Sequence, residues 1–422
     1  MGKRWRGCIA ILVAAGTFTA CGDDSGVKAS DTTAAPATTA STTGSSGSAT
    51  TTGSSASGGT PTGAPYKIGI NSPLSGFGAG SYVGTPIAAQ AWEKWVNANG
   101  GVNGHPVQVI VKDSGNDASK GLAVVRDLVE NDKVQVLIPN DPSTDNTILP
   151  YTQDKKFPVV QSYAAYPIWN TTPGWFALGL VANPVGYQAG LNTVKSEGKE
   201  SIASALCAEV AACGAAGDAM AKEASNIGVR YDGTLKISAT APNYTAECLL
   251  LKNKKTEVIF AGLDVGTTKK LVSDCAAQDY HPSLLMLVHS LDPRLTEIPG
   301  ASVVAIEPTL PWYADTPAMK DFRDAMTKYG DLSKANETSM FVWTSLEFIR
   351  QGLKESNVAE NPTPQQTMDA LYKVKTNLGG LIADNVSFTA GQPSPVVKCY
   401  FVGGFENGKF TLPRGDKPIC VQ

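Results

Sequence analysis

From residue 66 to residue 306 the chain repeats one alternation, a short run of β-branched residues followed by a stretch with apolar residues at helical spacing. The runs 66–71, 107–112, 134–138, 159–162, 201–206, 234–238, 257–262, 284–288 and 302–306 read as strands. The stretches between them have legible helix ends. Thr85 reads as a cap with Pro86 at the first helical position, Ile87, Ala91 and Trp95 share one face, and Gly100-Gly101 stops the helix. Further on, Thr363-Pro364-Gln365-Gln366 has capping-box spacing with proline in the first turn. Regular alternation of this kind is satisfied by parallel sheets with right-handed crossovers, so the expected class is α/β. Residues 66–422 are long enough for two domains of about 100–200 residues each.

What precedes residue 66 has a different character. Lys3, Arg4 and Arg6 lead into an apolar run from about Cys8 to Ala20, too short for the ~20 residues that span a bilayer and suited to a secretory signal. Residues 1–20 are therefore expected to be removed. Phe18-Thr19-Ala20-Cys21 resembles a bacterial lipobox, whose cysteine carries the lipid, although Phe18 stands where an aliphatic residue is usual. Residues 21–65, rich in Ser, Thr, Gly and Ala, cannot bury enough apolar surface to offset ordering and read as a flexible linker. A coil of about 40 such residues reaches roughly 35 Å, enough to hold a domain clear of a membrane.

With 35 Lys+Arg against 38 Asp+Glu the chain carries −3, and loss of Lys3, Arg4 and Arg6 leaves 32 against 38, or −6. A mildly acidic balance with no basic stripe argues against nucleic acid as a partner. Of the eight cysteines, Cys8 leaves with the signal and Cys21 takes the lipid. Six remain for an oxidising compartment, and fifteen pairings are open to them. They group in sequence as Cys207 with Cys213, Cys248 with Cys275 and Cys399 with Cys420, and local pairing is expected. Metal binding would need close pairs such as C-x-x-C, which the sequence lacks; no metal and no cofactor is expected.

Ligands of open α/β sheets bind beyond the carboxyl ends of the strands. That rule selects the loops 71–82, 140–145, 161–165 and 262–266. Their hydroxyls and helix-start N–H groups suit an anion, and Tyr82 and Tyr163 suit apolar walls. Taken singly, each Ser or Thr reads equally well as a helix cap.

Three stretches are similar to the type I periplasmic binding proteins of the branched-chain amino acid transporter group. They are Ile68-Gly69-Ile70-Asn71-Ser72-Pro73-Leu74-Ser75-Gly76, Asn97-Ala98-Asn99-Gly100-Gly101-Val102-Asn103-Gly104, and Asp113 with Asp117-Ala118; Phe341-Val342-Trp343-Thr344-Ser345 matches on a late helix. The resemblance implies two doubly wound parallel-sheet lobes joined by three crossovers, the first from 66–184 and 308–390, the second from 185–307 and 391–422. It implies an extracytoplasmic lipoprotein on the outer face of the cell membrane, monomeric and not an enzyme, which captures a small amino acid, amide or organic acid and delivers it to an ABC permease. By the same resemblance Ser143 would meet a ligand carboxylate, with Ser75 and Thr144 beside it. Ser162, Tyr163 and Ala164 would supply strand-end contacts, Tyr82 and Phe341 aromatic walls, and Asp264 and Ser290 the second-lobe wall. A receptor subunit of a membrane sensor is the alternative, and an exported hydrolase a more distant one.

The departures bear on the ligand. Where amino-acid binders of the family place a carboxylate for the ligand ammonium, this chain reads Val288-His289-Ser290-Leu291-Asp292, and Ala212-Cys213 stands where a tyrosine is frequent. With no carboxylate there, leucine, isoleucine and valine are expected to bind poorly. Enzyme motifs fare worse: Gly76, Gly78, Gly80 and Gly84 do not have dinucleotide-fingerprint spacing, no H-E-x-x-H occurs, and His105, His281 and His289 sit singly.

Overall fold

The computed structural model describes residues 60–76, 78–179, 184–208, 211–287 and 291–421, without the side chains of Ala211 and Ala212. The expected signal sequence, Cys21, the linker as far as residue 59, and Val288, His289 and Ser290 lie outside the described residues.

In the first part of the fold β1 (Tyr66–Ser72), α1 (Gly84–Ala98), β2 (Val107–Asp113), α2 (Ala118–Glu130), β3 (Val136–Pro139), α3 (Asp145–Asp154), β4 (Val159–Gln161) and β5 (Trp175–Ala177) follow in order. The five strands form one parallel sheet, ordered β2-β1-β3-β4-β5. The chain then crosses to a second sheet, through α4 (Pro184–Ser196), β6 (Ser201–Cys207), α5 (Ala211–Ile227), β7 (Arg230–Ile237), α6 (Thr245–Lys254), β8 (Val258–Gly262), α7 (Val265–Ala276), β9 (Ser283–Met286) and β10 (Val303–Glu307). It returns to the first lobe with α8 (Lys320–Tyr329), α9 (Glu337–Glu355), α10 (Pro364–Leu371) and the small pair β11 (Lys375–Thr376) and β12 (Val386–Ser387). A third crossover leads to β13 (Cys399–Glu406), β14 (Lys409–Thr411) and β15 (Ile419–Cys420), which complete the second sheet.

The two lobes repeat one topology. The run β7-β6-β8-β9-β10 has the same order as β2-β1-β3-β4-β5, so each sheet reverses direction once, between β1 and β3 in one lobe and β6 and β8 in the other. Those reversals open the crevices in which doubly wound sheets bind ligands. The loops after β1 and β3, and that before α7, are therefore the ones to inspect.

Helix α9 carries the first lobe. Residues 337–349 are all buried, so this stretch of the helix is enclosed on every side, its apolar residues interspersed with buried polar ones. It packs on α1, α10 and β4. Its hydroxyls are satisfied locally: Thr344 Oγ1 donates to the Met340 carbonyl at 2.6 Å and Ser345 Oγ to that of Phe341 at 2.7 Å. Trp92 of α1 is fully buried, with its Nε1 donating to Glu347 Oε1 at 2.6 Å, while Trp95 lies at the rim against Trp343. Burying side chains of this size contributes about 2–3 kcal/mol each.

Cys207–Cys213, Cys248–Cys275 and Cys399–Cys420 are joined as the local grouping suggests. They tie β6 to α5, α6 to α7 and β13 to β15, all in the second lobe. The expected capping box at Thr363 is present with Gln366, and Asp117 caps α2 through the Lys120 N–H.

Two expectations need correction. Thr85 is not a cap: a 3-10 helix over Ala79–Tyr82 runs almost directly into α1, which starts at Gly84, and the Thr85 hydroxyl instead accepts from Asn140 Nδ2 at 2.7 Å. The second sheet is not wholly parallel, since β13 runs antiparallel to β10 and pairs antiparallel with β14 and β15. The short β5 and these last strands were not legible as alternating runs.

Candidate functional site

The loop after β1 is shaped by Asp113, at the end of β2. Its Oδ1 accepts from the Leu74, Ser75 and Gly115 N–H groups at 2.8–3.0 Å, and its Oδ2 from Ser75 Oγ at 2.5 Å and Lys120 Nζ at 2.6 Å. Partial burial raises its pKa, but Lys120, Ser75 and the backbone N–H groups outweigh that and hold the carboxyl well below the usual range. Ser75 is thus a brace for the loop. Gly76 has φ 84°, and a Cβ there would sit 2.3 Å from the Gly115 carbonyl oxygen, so the turn requires glycine. The loop delivers Tyr82, 7% exposed, to the interior.

The loop after β3 is organised by Asp141, which accepts from Ser143 N at 3.1 Å, Ser143 Oγ at 2.6 Å, Asn116 Nδ2 at 3.2 Å and Ser114 Oγ. Ser143 is exposed, its hydroxyl also accepting from Asn116. Thr144 is buried and donates to the Asp141 carbonyl at 2.8 Å. Having spent its one proton, Thr144 Oγ1 accepts from Asn71 Nδ2 at 3.0 Å, which orients that amide with Oδ1 away from it. Asp145 opens α3 and is buried; Trp169 Nε1 donates to its Oδ2 at 2.8 Å. Desolvation raises the Asp145 pKa well above the ordinary value, the Trp169 bond opposes this, and Asp141 adds to it.

The segment after β4 supplies the wall. Gln161 accepts from the Ser162 and Tyr163 N–H groups and donates to the Pro139 carbonyl, joining this loop to the previous one. Buried Ser162 bonds Thr344 and Ser345, at 2.7 and 3.2 Å, so its hydroxyl fastens β4 to α9. Tyr163 stacks on Phe341 with ring centroids 5.4 Å apart and planes 13° from parallel; Ala165 and Tyr166 join them, while Ala164 turns to the core. Burial raises the Tyr82, Tyr163 and Tyr166 hydroxyls, each also within electrostatic reach of Asp145.

The second lobe reaches this cluster at two places. Tyr187 of α4 interacts electrostatically with Tyr163. Arg294, in the loop after β9, donates from Nη2 to the Gly80 carbonyl at 2.9 Å, directly across the crevice. Its fork is held by Asp292, Nε to Oδ1 at 2.7 Å and Nη2 to Oδ2 at 2.9 Å. Asp264 caps α7 through the Gly266 and Thr267 N–H groups and lies within the field of Arg294. A surface groove lined by Lys67, Lys133, Gln135, Lys155, Phe157 and Pro364 lies by the amino end of β1, the wrong edge for a crevice site.

Tyr82, Ser143, Thr144, Ser162, Tyr163, Ala164 and Phe341 thus lie around one sheet edge, with Ser75 at its margin, while Asp264 opens α7 in the second lobe. A model of the periplasmic binding protein family matches residues 65–409. The chain belongs to this family. No curated protein matches it. Among solved structures, a branched-chain amino acid ABC transporter from Thermus thermophilus with bound valine gives TM-score 0.74 at 13% identity, over 85% of this chain and 97% of that one. A fatty acid ABC transporter substrate-binding protein from Thermomonospora curvata gives 0.69 at 17%, over 86% and 95%. A solute-binding protein from R. palustris in complex with 4-hydroxybenzoate gives 0.65 at 17%, over 85% and 98%. At such identities the likeness establishes the fold, the two-lobed type I architecture. The family is one of extracytoplasmic solute-binding proteins, and among the described residues no helix is long and apolar enough to cross a membrane.

For a periplasmic binding protein the residues missed by sequence reasoning matter most. Asp292 is committed to Arg294 and does not replace a missing second-lobe carboxylate. Two further buried acids lie near the first-lobe wall: Asp145, and Glu337 at the start of α9, both within electrostatic reach of Tyr163. The signal was present as Asp-Pro-Ser-Thr-Asp before α3, where Asp145 reads as an ordinary first-turn acid.

Proposed function

We propose that the protein captures a small polar or carboxylated solute between its two lobes and hands it to an ABC permease. The observation that carries this reading is the convergence at one sheet edge of buried aromatic rings and polar side chains, faced by Arg294 of the other lobe. Ser143, Thr144, Ser162, Tyr163, Tyr82 and Phe341 form the first-lobe wall of the site, with Ala164 contributing through its backbone while its side chain packs in the core behind. Asp264 and Ser290 belong to the opposite wall. The protein acts as a monomer held at the outer face of the cell membrane by lipid on Cys21, after removal of residues 1–20, with residues 21–65 as its tether. The lipobox-like stretch before Cys21 supports the anchor. The lobes divide at 184, 307 and 390.

Native mass spectrometry of protein purified without refolding tests the capture reading, because a solute held in a closed crevice survives purification. The recovered solute is then titrated into wild type and Ser143→Ala. Ser143 Oγ already donates to Asp141, so its contribution to the ligand lies at the low end of ~1.5–3 kcal/mol, roughly tenfold in Kd. An unchanged Kd would remove Ser143 from the site.

A further inference from the structure

Two buried acceptors at the first-lobe wall have no hydrogen-bond partner among the described residues: Asn71 Oδ1, on a residue 0% exposed, and Asp145 Oδ1, on a residue 1% exposed. Both lie against Thr144, which bonds the Asn71 amide and immediately precedes Asp145. The orientation of Asn71 follows from the Thr144 proton going to the Asp141 carbonyl, so the unpartnered atom is an oxygen. At Asp145, Trp169 occupies Oδ2 and Oδ1 is left without a partner, with Tyr82, Tyr163 and Tyr166 within electrostatic reach of the carboxyl. Buried acceptors without donors are rare and costly, and a carboxylate among tyrosines with no cation beside it among the described residues is more costly still. Asp141 does not share the defect, because its oxygens are filled by Ser114, Asn116 and Ser143.

We propose that Asp145 and Asn71 form a recognition pair for a protonated nitrogen of the solute, an ammonium, amidinium or guanidinium group, with the faces of Tyr82 and Tyr163 beside it. This rests on the capture reading above and specifies its ligand. A cation with several N–H donors can offer one to each orphan oxygen, balances the charge of the buried carboxylate and gains from aromatic faces. A solute offering only a carboxylate here would meet Asp145 and leave Asn71 Oδ1 unpaired. Chemistry elsewhere on the solute is free to be anionic, since Arg294 stands on the other side of the crevice.

The test is a thermal-shift and calorimetric screen of the full chain against several hundred natural small solutes sorted by charge. It includes the matched sets isoamylamine, leucine and 4-methylpentanoate, and phenethylamine, phenylalanine and 3-phenylpropionate. The expected result is that the binders carry a protonated nitrogen and bind at least about tenfold more tightly than their nitrogen-free counterparts. Asp145→Asn, and independently Asn71→Ala, should each remove about tenfold of that affinity. Binding confined to solutes without a protonated nitrogen, or an affinity for amines unchanged in both variants, overturns the recognition pair and leaves solute capture standing. Binding by no solute of any class overturns capture and the pair together.

Discussion

Arg294 joins the lobes through one hydrogen bond, and its removal separates closure from stability. The bond to the Gly80 carbonyl ties the segment after β1 of the first lobe to the segment after β9 of the second, so separating the lobes would break it. A charge-assisted bond of this kind contributes about 1.5–3 kcal/mol when buried. With 40% of the Arg294 side chain exposed, solvent screening brings that to about 1 kcal/mol, or about fivefold in the closed population and hence in Kd. Arg294→Ala has a second consequence. Asp292, 6% exposed at its side chain, loses its guanidinium fork and keeps only the Arg294 N–H. Leaving a carboxylate so buried costs up to about 3–5 kcal/mol. That cost falls on the open and closed states alike, so it lowers the melting temperature without entering Kd. Arg294→Lys separates the two effects. An ammonium still pairs with Asp292 but cannot also reach Gly80, so the melting temperature should stay near wild type while Kd weakens about fivefold. Calorimetry with the co-purified solute, beside scanning calorimetry of the empty protein, measures both. A lysine variant with wild-type Kd would refute the latch.

Two further outcomes follow from named groups. Asp145 has a folded pKa raised above its unfolded value, so its neutral form is the one the fold tolerates. Both states are protonated well below the unfolded value of ~3.8, and the penalty grows as pH rises through it toward the folded value. Asp145→Asn should therefore raise the melting temperature of the empty protein at pH 7, with the gain shrinking toward pH 3; an equal gain at both would show that the carboxyl is not held neutral by burial. At the other end of the chain, labelled palmitate should enter the wild type and not Cys21→Ala, and equal labelling of both would remove the anchor.

How far the sequence could be read depended on the range of the forces involved. The nine strand runs and the Thr363 box are local, decided within a few residues, and they appear where the pattern puts them. Disulfide pairing was legible for the same reason, since each partner is close in sequence. The start of α1 was not, because Thr85 is claimed by Asn140, a residue of another strand's loop. Strand β13 escaped because its position is set by antiparallel pairing with β10 after the whole of α8–α10 has intervened. The site followed the same division. Strand-end rules located Tyr82, Ser143 and Tyr163, since a parallel sheet sends every such loop to one edge.

What the rules could not supply was the state of each group once it arrived. Asp145 and Asp141 are both acids at the turn into α3, and by sequence either could be the satisfied one. The fold distinguishes them by their donors. Asp141 receives N–H and O–H groups from the turns on either side and becomes scaffolding, whereas Asp145, among the described residues, receives only the Trp169 indole, from beyond β4. A buried acid with half its acceptors filled is a poor way to stabilise a fold, and an apolar residue in its place would cost less. Its retention among three tyrosines is intelligible if the missing donor arrives with the solute. On that account the melting temperature of Asp145→Asn and its affinity for amines should move in opposite directions, the first up and the second down, and a variant in which both fell would mark Asp145 as structural.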